Sequence, residues 1–499
     1  MLTAGLALAG CGSGTTASEQ TSGPTDSGAI LRWASPGMPT SFDPRKSAPL
    51  DPVYLSLVYE SLIRRMPSGE IKPGLATEWQ FSDDNKVLTL KLRQGVKFHN
   101  GEELNAEAVK KSLEAYKKSG ALVTTLAVLD KVEVVAPDQV KLTFTHPSGY
   151  MVNVLAGEAG IVVAPGALDA PDLPTKPVGT GPFELTALQQ GKITFKKFEG
   201  HWNAAATTIA GVEMPVFNDE PTRLRAVKSG QADGSTITPN QLKEAEAAGM
   251  TVIQAPNTTL NAILLNTSVP ALAKPEFRKA LLYAIDRESI SKNLYAGTCS
   301  PSVQPFQKGF WANVPQLNDV SSYYDPEKAK KLIAEAGFKD GVDLTFEVGP
   351  NTSYQVLAQA LQAQLQKVGI RVSIKVLEFQ QMVTARRNGQ FTATVSLLQA
   401  GRPDPSQFVQ DFYIKGGAYN PGGFSLAGIG DLLTQARASE ESTARAEPMH
   451  EIVTKVLEAG PPVIPVCGVT YMAAFRKGVT GLQPSVVGDY DFAAVKMSK

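Results

Sequence analysis

The fold is decided by LTFEVGPNTSYQVLAQALQAQLQKVGIRVSIKV, Leu344 to Val376. Leu344, Phe346 and Val348 alternate with Thr345 and Glu347, the period-two pattern of a strand with one face on a core. A polar turn reaches Ser353. Beyond it Leu357, Leu361, Leu365 and Val368 share one face of a helix. Gly369 follows, a residue that adopts positive φ at a helix end without a steric penalty. Ile370, Val372, Ile374 and Val376 then alternate with Arg371, Ser373 and Lys375. Strand, helix and strand with joints this short predict a βαβ crossover, hence parallel pairing and an α/β fold.

The same grammar recurs elsewhere. In DPEKAKKLIAEAG, Asp325 caps, Pro326 takes the first helical position, Leu332, Ile333 and Ala336 form the apolar face, and Gly337 ends the helix. TPNQLKEAEAAG repeats it with Thr238, Pro239 and Gly249. Asn105 caps a helix whose inner face is Val109, Leu113 and Tyr116, ending near Gly120. These stripes read as core faces, not ligand sites. No internal repeat of fixed period interrupts the α/β alternation.

The chain has 499 residues, which at about 150 per domain suggests roughly three structural units. Hydrophobic residues make up 43% and charged residues 19%, ordinary globular usage that excludes disorder, collagen and coiled coil as the main architecture. Lys plus Arg and Asp plus Glu are 48 each, with no long run of either sign. A nucleic acid or an anionic membrane surface has no electrostatic footprint here. Cys11, Cys299 and Cys467 are too few for a four-thiolate zinc site. His99, His146, His201 and His450 lie apart without HxH or HExxH spacing. We therefore expect neither a metal site nor a cofactor.

A search for catalytic motifs gives little. There is no GxSxG nucleophile elbow and no GxxxxGK[ST] phosphate loop. Gly179-Thr180-Gly181 opens like GxGxxG, but Glu184 stands at the third glycine position and Pro182 removes an amide donor, so it reads as a turn. Asp83-Asp84 and Glu102-Glu103 sit in polar turn contexts, where solvated charge is the common explanation. A glycosidase pair drawn from distant carboxylates leaves no local spacing to read.

At the amino end MLTAGLALAGCGSG has the short apolar core and small residues of an export signal, about half the length that crosses a bilayer as a helix. Leu8-Ala9-Gly10-Cys11 resembles the lipobox of bacterial lipoproteins, which implies residues 1–11 as signal and Cys11 as the lipidated residue. No Lys or Arg precedes the apolar core, so the true start of the signal is expected further upstream. Residues 12–28 are nearly all Gly, Ser, Thr, acidic or amide, the composition of a flexible tether. An exported chain leaves Cys299 and Cys467 free to form a disulfide or to remain buried thiols.

Several segments then converge in order along the chain. LATEWQFSDDNKVLTLKLRQGVKFHNGEELNAEAVKKSL (Leu75 to Leu113) resembles the region shared by family 5 solute-binding proteins of ABC importers. PVGTGPF (Pro177 to Phe183), GHWNAAATTIAGVEM with TRLRAVKSGQAD, KPEFRKALLYAIDRESISKNLYAG (Lys274 to Gly297) and DPEKAKKLIAEAGF continue the likeness over Leu31 to Lys499. The resemblance implies a two-lobed periplasmic-binding-protein-like fold with an extra domain inserted in the N-terminal lobe, the cluster C arrangement. Lobe I is expected at 29–50, 175–260 and 470–499, the inserted domain at 51–174 and lobe II at 261–469. The chain is expected to cross between lobes near Leu260 to Asn266 and Pro462 to Tyr471.

The implied function is a non-enzymatic, monomeric, lipid-anchored receptor at the outer face of the cell membrane, which captures a small solute by lobe closure and passes it to a permease. A sensor of the same fold would differ only in its partner. A secreted hydrolase would need a constellation that the sequence does not show, and a structural surface protein would need no cleft. The resemblance places Met38, Glu158, Phe310, Trp311, Asn420 and Phe424 at the cleft. The loop from Gln399 to Arg402 joins them because it follows a strand, Phe391 to Leu398, and ligands gather beyond strand carboxyl ends. Peptide binders of the family read A-D-Y-x-D-P there, their first Asp pairing with the ligand's ammonium group; here that position is Gly401, followed by Arg402. A neutral or anionic solute is expected instead of free-amino peptides: an oligosaccharide, a modified peptide or an opine-like conjugate.

Overall fold

The computed structural model describes residues 26–48, 51–401, 403–487 and 490–498. The proposed signal, Cys11, most of the tether and Arg402 lie outside the described residues.

Leu344 to Val376 folds as a strand Val342–Val348, a helix Thr352–Gln366 and a strand Ile370–Val376, the two strands pairing in parallel. Asn351 caps the helix by accepting from the Ser353 amide at 2.8 Å. Leu357, Leu361 and Leu365 are wholly buried, and Gly369 takes φ +88°. Asn105 and Asp325 cap their helices likewise, accepting from Ala108 and Lys328.

Among the described residues the largest sheet has eleven strands. Across it run Ile370–Val376, Val342–Val348, Ala393–Gln399, Thr251–Leu265, Val463–Phe475, Gly234–Thr236, Ile30–Ala34, Gly211–Pro215, Lys192–Lys197 and Phe183–Gln189. Ser300–Pro301 pairs beside Val463–Phe475. The third strand begins two residues later than the alternation of Phe391 to Leu398 suggests, and Phe391 packs as a buried loop residue.

The two long central strands, Thr251–Leu265 and Val463–Phe475, pair antiparallel from Thr251 to Pro256 and from Leu260 to Leu264, with a register break between Pro256 and Leu260 and a smaller shift between Asn261 and Ala262. They join separate hydrophobic cores. The first gathers Leu31, Trp33, Phe42, Phe195, Val212 and the carboxyl-terminal Phe475, Phe492 and Met497. The same core extends under a four-stranded antiparallel sheet, Ala76–Phe81, Val87–Leu92, Gln139–Phe144 and Leu129–Ala136, through Leu88, Leu90 and Leu142. The other two large cores lie on opposite faces of the far half of the central sheet. One contains Ile263, Phe277, Phe346 and Leu361; the other contains Leu260, Phe306, Phe408 and Ile452.

Two ties secure the far half. Cys299 and Cys467 form a disulfide with Cα atoms 5.5 Å apart, fastening the Ser300–Pro301 edge to the return strand. Arg287, 1% exposed, donates to the main-chain carbonyls of Leu282, Ile285, Ser302 and Pro465. Burial without a carboxylate partner pulls its pKa down to about 9.

Candidate functional site

The central strands break register between the first core and the two far ones. Thr258, inside the break, donates to the Val486 carbonyl at 2.8 Å and accepts from the Ala400 amide at 3.1 Å. Gly401 lies so close that a Cβ there would fall 2.5 Å from Thr258 Cγ2 and 2.6 Å from its Cβ. No side chain fits at 401 while Thr258 keeps its place. Next along the loop, the Pro403 carbonyl accepts from Arg65 Nη2 at 2.9 Å, and the same nitrogen donates to the Asn153 carbonyl at 3.0 Å. Glu158 opens a one-turn 3₁₀ helix, and its carboxylate accepts from the Ser47 hydroxyl.

Asp404 caps the helix Pro405–Tyr413, accepting from the Ser406 amide at 2.9 Å. Its carboxylate is paired with Arg445 Nη2 at 2.6 Å, and both side chains are fully buried. Burial alone would raise the Asp404 carboxyl. The Arg445 charge and bond, with those from Ser406, outweigh it and hold the group below its ordinary range.

Beside the seam a cavity of about 390 Å³ opens against the first core. One wall is Pro52 to Arg65 and another Gln483 to Ala494, with Ala156 to Glu158 and His201 to Asn203 between them. Its charges are largely spoken for. Glu60 accepts the Trp202 indole N–H at 3.1 Å on both oxygens, and Arg93 stacks 3.9 Å from the centre of that ring. Arg64 pairs with Asp491. Tyr59 Oη and Thr207 Oγ1, from lining residues, are buried without a hydrogen-bond partner. His201 Nε2 lies 3.4 Å from Glu60 but outside hydrogen-bond geometry. Apolar walls with a few convergent polar groups suit capture of a small molecule.

The structure distributes the expected site residues unevenly. Glu158 lines the cavity. Met38 is half-buried against the first core, and Gln399 ends its strand exposed. Phe310 and Trp311 are half-buried on the core of Phe306 and Phe408, their ring centres 6.0 Å apart. Arg445 stacks on the Trp311 ring at 4.8 Å, which links that residue to Asp404. Asn420 is consumed by its own loop: its amide donates to the Ile414 and Phe424 carbonyls and accepts from the Phe424 amide. Phe424 is 7% exposed in the same core. These two brace a loop and do not line the cavity. Tyr59, Glu60, Arg65, Trp202 and Thr258 were not singled out from sequence. Trp202 sits inside a quoted family segment, yet nothing local tells that its indole meets Glu60, 142 residues earlier.

Comparison with known proteins accords with this architecture. The family model described as bacterial extracellular solute-binding proteins, family 5 Middle, matches residues 70–420. The glutathione-binding protein GsiB of Salmonella typhi is 30% identical over 360 residues, 69% of this chain and 68% of its own length. Among solved structures, the Helicobacter pylori periplasmic binding protein DppA in complex with the peptide STSA superposes with a TM-score of 0.84 at 23% identity, covering 95% of this chain and 98% of that one. The binding protein AgaA of A.tumefacien R10, in complex with agropinic acid, gives 0.81 at 26% identity over 94% and 99%. No helix among the described residues is long and apolar enough to cross a membrane. The chain belongs to the family 5 bacterial extracellular solute-binding proteins, non-enzymatic extracytoplasmic receptors that hand small solutes to the permeases of ABC importers.

Proposed function

We propose that this receptor takes a neutral or anionic solute, such as a modified peptide, an opine-like conjugate or an oligosaccharide, and rejects ordinary free-amino peptides. The observation that carries the reading is the packing of Gly401 on Thr258. At the position where the family's peptide binders place an aspartate for the ligand ammonium, this chain has a glycine, and any side chain there would have to displace Thr258. An ammonium group taken out of water there has no carboxylate from position 401, and a buried unpaired charge is strongly unfavourable. AgaA, solved with agropinic acid, supports a modified amino-acid ligand.

The solute is captured by rotation of residues 261–469 about the register break onto a monomer's other half, formed by 29–50, 175–260 and 470–499 with 51–174 inserted. A diacylated Cys11 and the tether hold the receptor at the membrane; two acyl chains are needed because one anchors only marginally. Cys11→Ser should release the protein or leave it unprocessed, and lipid found on another residue would refute this. Calorimetry decides the ligand class. Di- to pentapeptides should give no micromolar binding, whereas agropinic acid should bind. Micromolar peptide binding that disappears on N-acetylation would overturn the proposal.

A further inference from the structure

Away from the cavity, the two halves touch through a second set of contacts. The helix Ile429–Ala438 ends against the start of the short helix Met151–Leu155. The last carbonyls of a helix have no partner within it, and neither do the first amides. Here the two ends satisfy each other. The Gly149 amide donates to the Ala438 carbonyl at 3.1 Å and the Tyr150 amide to the Arg437 carbonyl at 3.2 Å. The Arg437 guanidinium lies 4.9 Å from the centre of the Tyr150 ring. At the rim the Trp79 indole donates to Glu440 at 3.2 Å. Tyr150 and Met151 belong to the first core, and Ala436 to the core of Phe408.

Arg437 also reaches back into its own half. Its Nε donates to Ser406 Oγ at 3.1 Å, Nη2 to the Ser406 carbonyl at 3.2 Å and Nη1 to Gln410 Oε1 at 3.1 Å. Ser406 stands in the first turn of the helix that Asp404 caps, directly after Gly401 and Pro403 at the seam. One guanidinium therefore touches the opposite half and grips the element that carries the seam loop.

We propose that Arg437 is a positioning residue for solute capture: it clasps Tyr150 across the lobes, beside the Ala438–Gly149 bond, and thereby holds the 403–413 segment in the placement seen here before any solute arrives. The inference rests on lobe closure as the working motion but not on the identity of the solute. A clasp of this kind raises the fraction of receptor already competent to bind, so it scales the affinity for every solute by the same factor.

Gly149 offers a clean perturbation. Its φ is not left-handed, so alanine is unstrained in an isolated lobe. With the two elements packed as they are here, however, the new Cβ would fall 2.1 Å from Ser439 C and 2.3 Å from Glu440 N, main-chain atoms that cannot swing aside. Gly149→Ala thus penalises this contact between the two halves. The test uses the full soluble chain, stripped of solute by unfolding and refolding with the disulfide intact. Amide hydrogen exchange of residues 148–152 and small-angle scattering are then compared between parent, Gly149→Ala and Arg437→Lys. The parent should protect the Gly149 and Tyr150 amides without solute. Both variants should exchange there roughly tenfold faster or more and scatter as more extended particles, while Leu88 to Leu92 keeps its protection. Unprotected amides in the solute-free parent would overturn the proposal, as would unchanged exchange and scattering in Gly149→Ala. Failure of Arg437→Lys to fold leaves the glycine variant to decide.

Discussion

Asp411→Asn should stabilise the protein at neutral pH and leave it almost unchanged near pH 3. Asp411 lies on the helix Pro405–Tyr413, where its carboxylate accepts from Gln407 Nε2 at 2.9 Å. Burial pushes its carboxyl from the ordinary 3.8 up to about 6, the Gln407 bond and the Arg437 charge opposing only in part. In the unfolded chain the group releases its proton near pH 4; in the folded chain it holds it to about pH 6. Between those values the native state binds more protons, so stability falls as pH rises. A gap of about two units at about 1.4 kcal/mol each gives about 3 kcal/mol, fully developed above pH 7. Asparagine keeps the acceptor and the shape but cannot ionise. The variant-minus-parent difference should be about 0.5 kcal/mol at pH 4, about 1.5 kcal/mol at pH 5 and about 3 kcal/mol at pH 7.5. Urea unfolding at each pH measures it. Asp51 and Glu347, which burial also raises, contribute to the parent's profile but cancel in the difference. Asp404 has the opposite sign and a lower window, its contribution being lost only as pH falls through its depressed value. An offset that stays constant from pH 4 to 7.5 would refute the reasoning.

Removing the disulfide with Cys299→Ser and Cys467→Ser should lower the unfolding midpoint substantially, since closing a loop of 168 residues is worth up to about 5 kcal/mol by chain entropy; an unchanged midpoint under non-reducing conditions would contradict this. Gly401→Asp should destabilise by about 1–3 kcal/mol through overpacking on Thr258 and should not create binding of the dipeptide Met-Leu by calorimetry. In a Thr258→Gly background most of that loss should vanish, and an equal loss in both backgrounds would clear Thr258 as the obstacle. Arg445→Met leaves the Asp404 carboxylate buried and unpaired and should cost about 3–5 kcal/mol, while adding Asp404→Asn should recover part of it; urea midpoints of the single and double variants decide.

The local grammar was the legible part. Strands Val342–Val348 and Ile370–Val376, the intervening helix and the caps at Asn105, Asp325 and Asn351 follow from periodicity and side-chain chemistry within a few residues. The site was much less so, because it is assembled from pairs far apart in the chain. Thr258 against Gly401 and Arg65 against Pro403 leave no local pattern, since neither partner's spacing depends on the other. Asn420 shows the converse. Its loop was recognisable, but a polar residue that completes its own turn reads in sequence just as one that awaits a ligand.

The central strands carry a consequence for how the chain is made. Leu265 and Pro462 are hydrogen-bonded neighbours, so everything between them leaves and re-enters at a single point. That middle portion holds two large cores almost entirely to itself and can complete them as soon as it has been synthesised. The first core cannot do so: Leu31 and Trp33 wait for Phe475, Tyr490, Phe492 and Met497, the last to emerge. The amino-terminal half, which leads the chain out of the cell, is therefore the last to lose its unfolded character. Order of synthesis and order of folding are thus reversed between the two halves, because contacts of long sequence separation must wait for both partners.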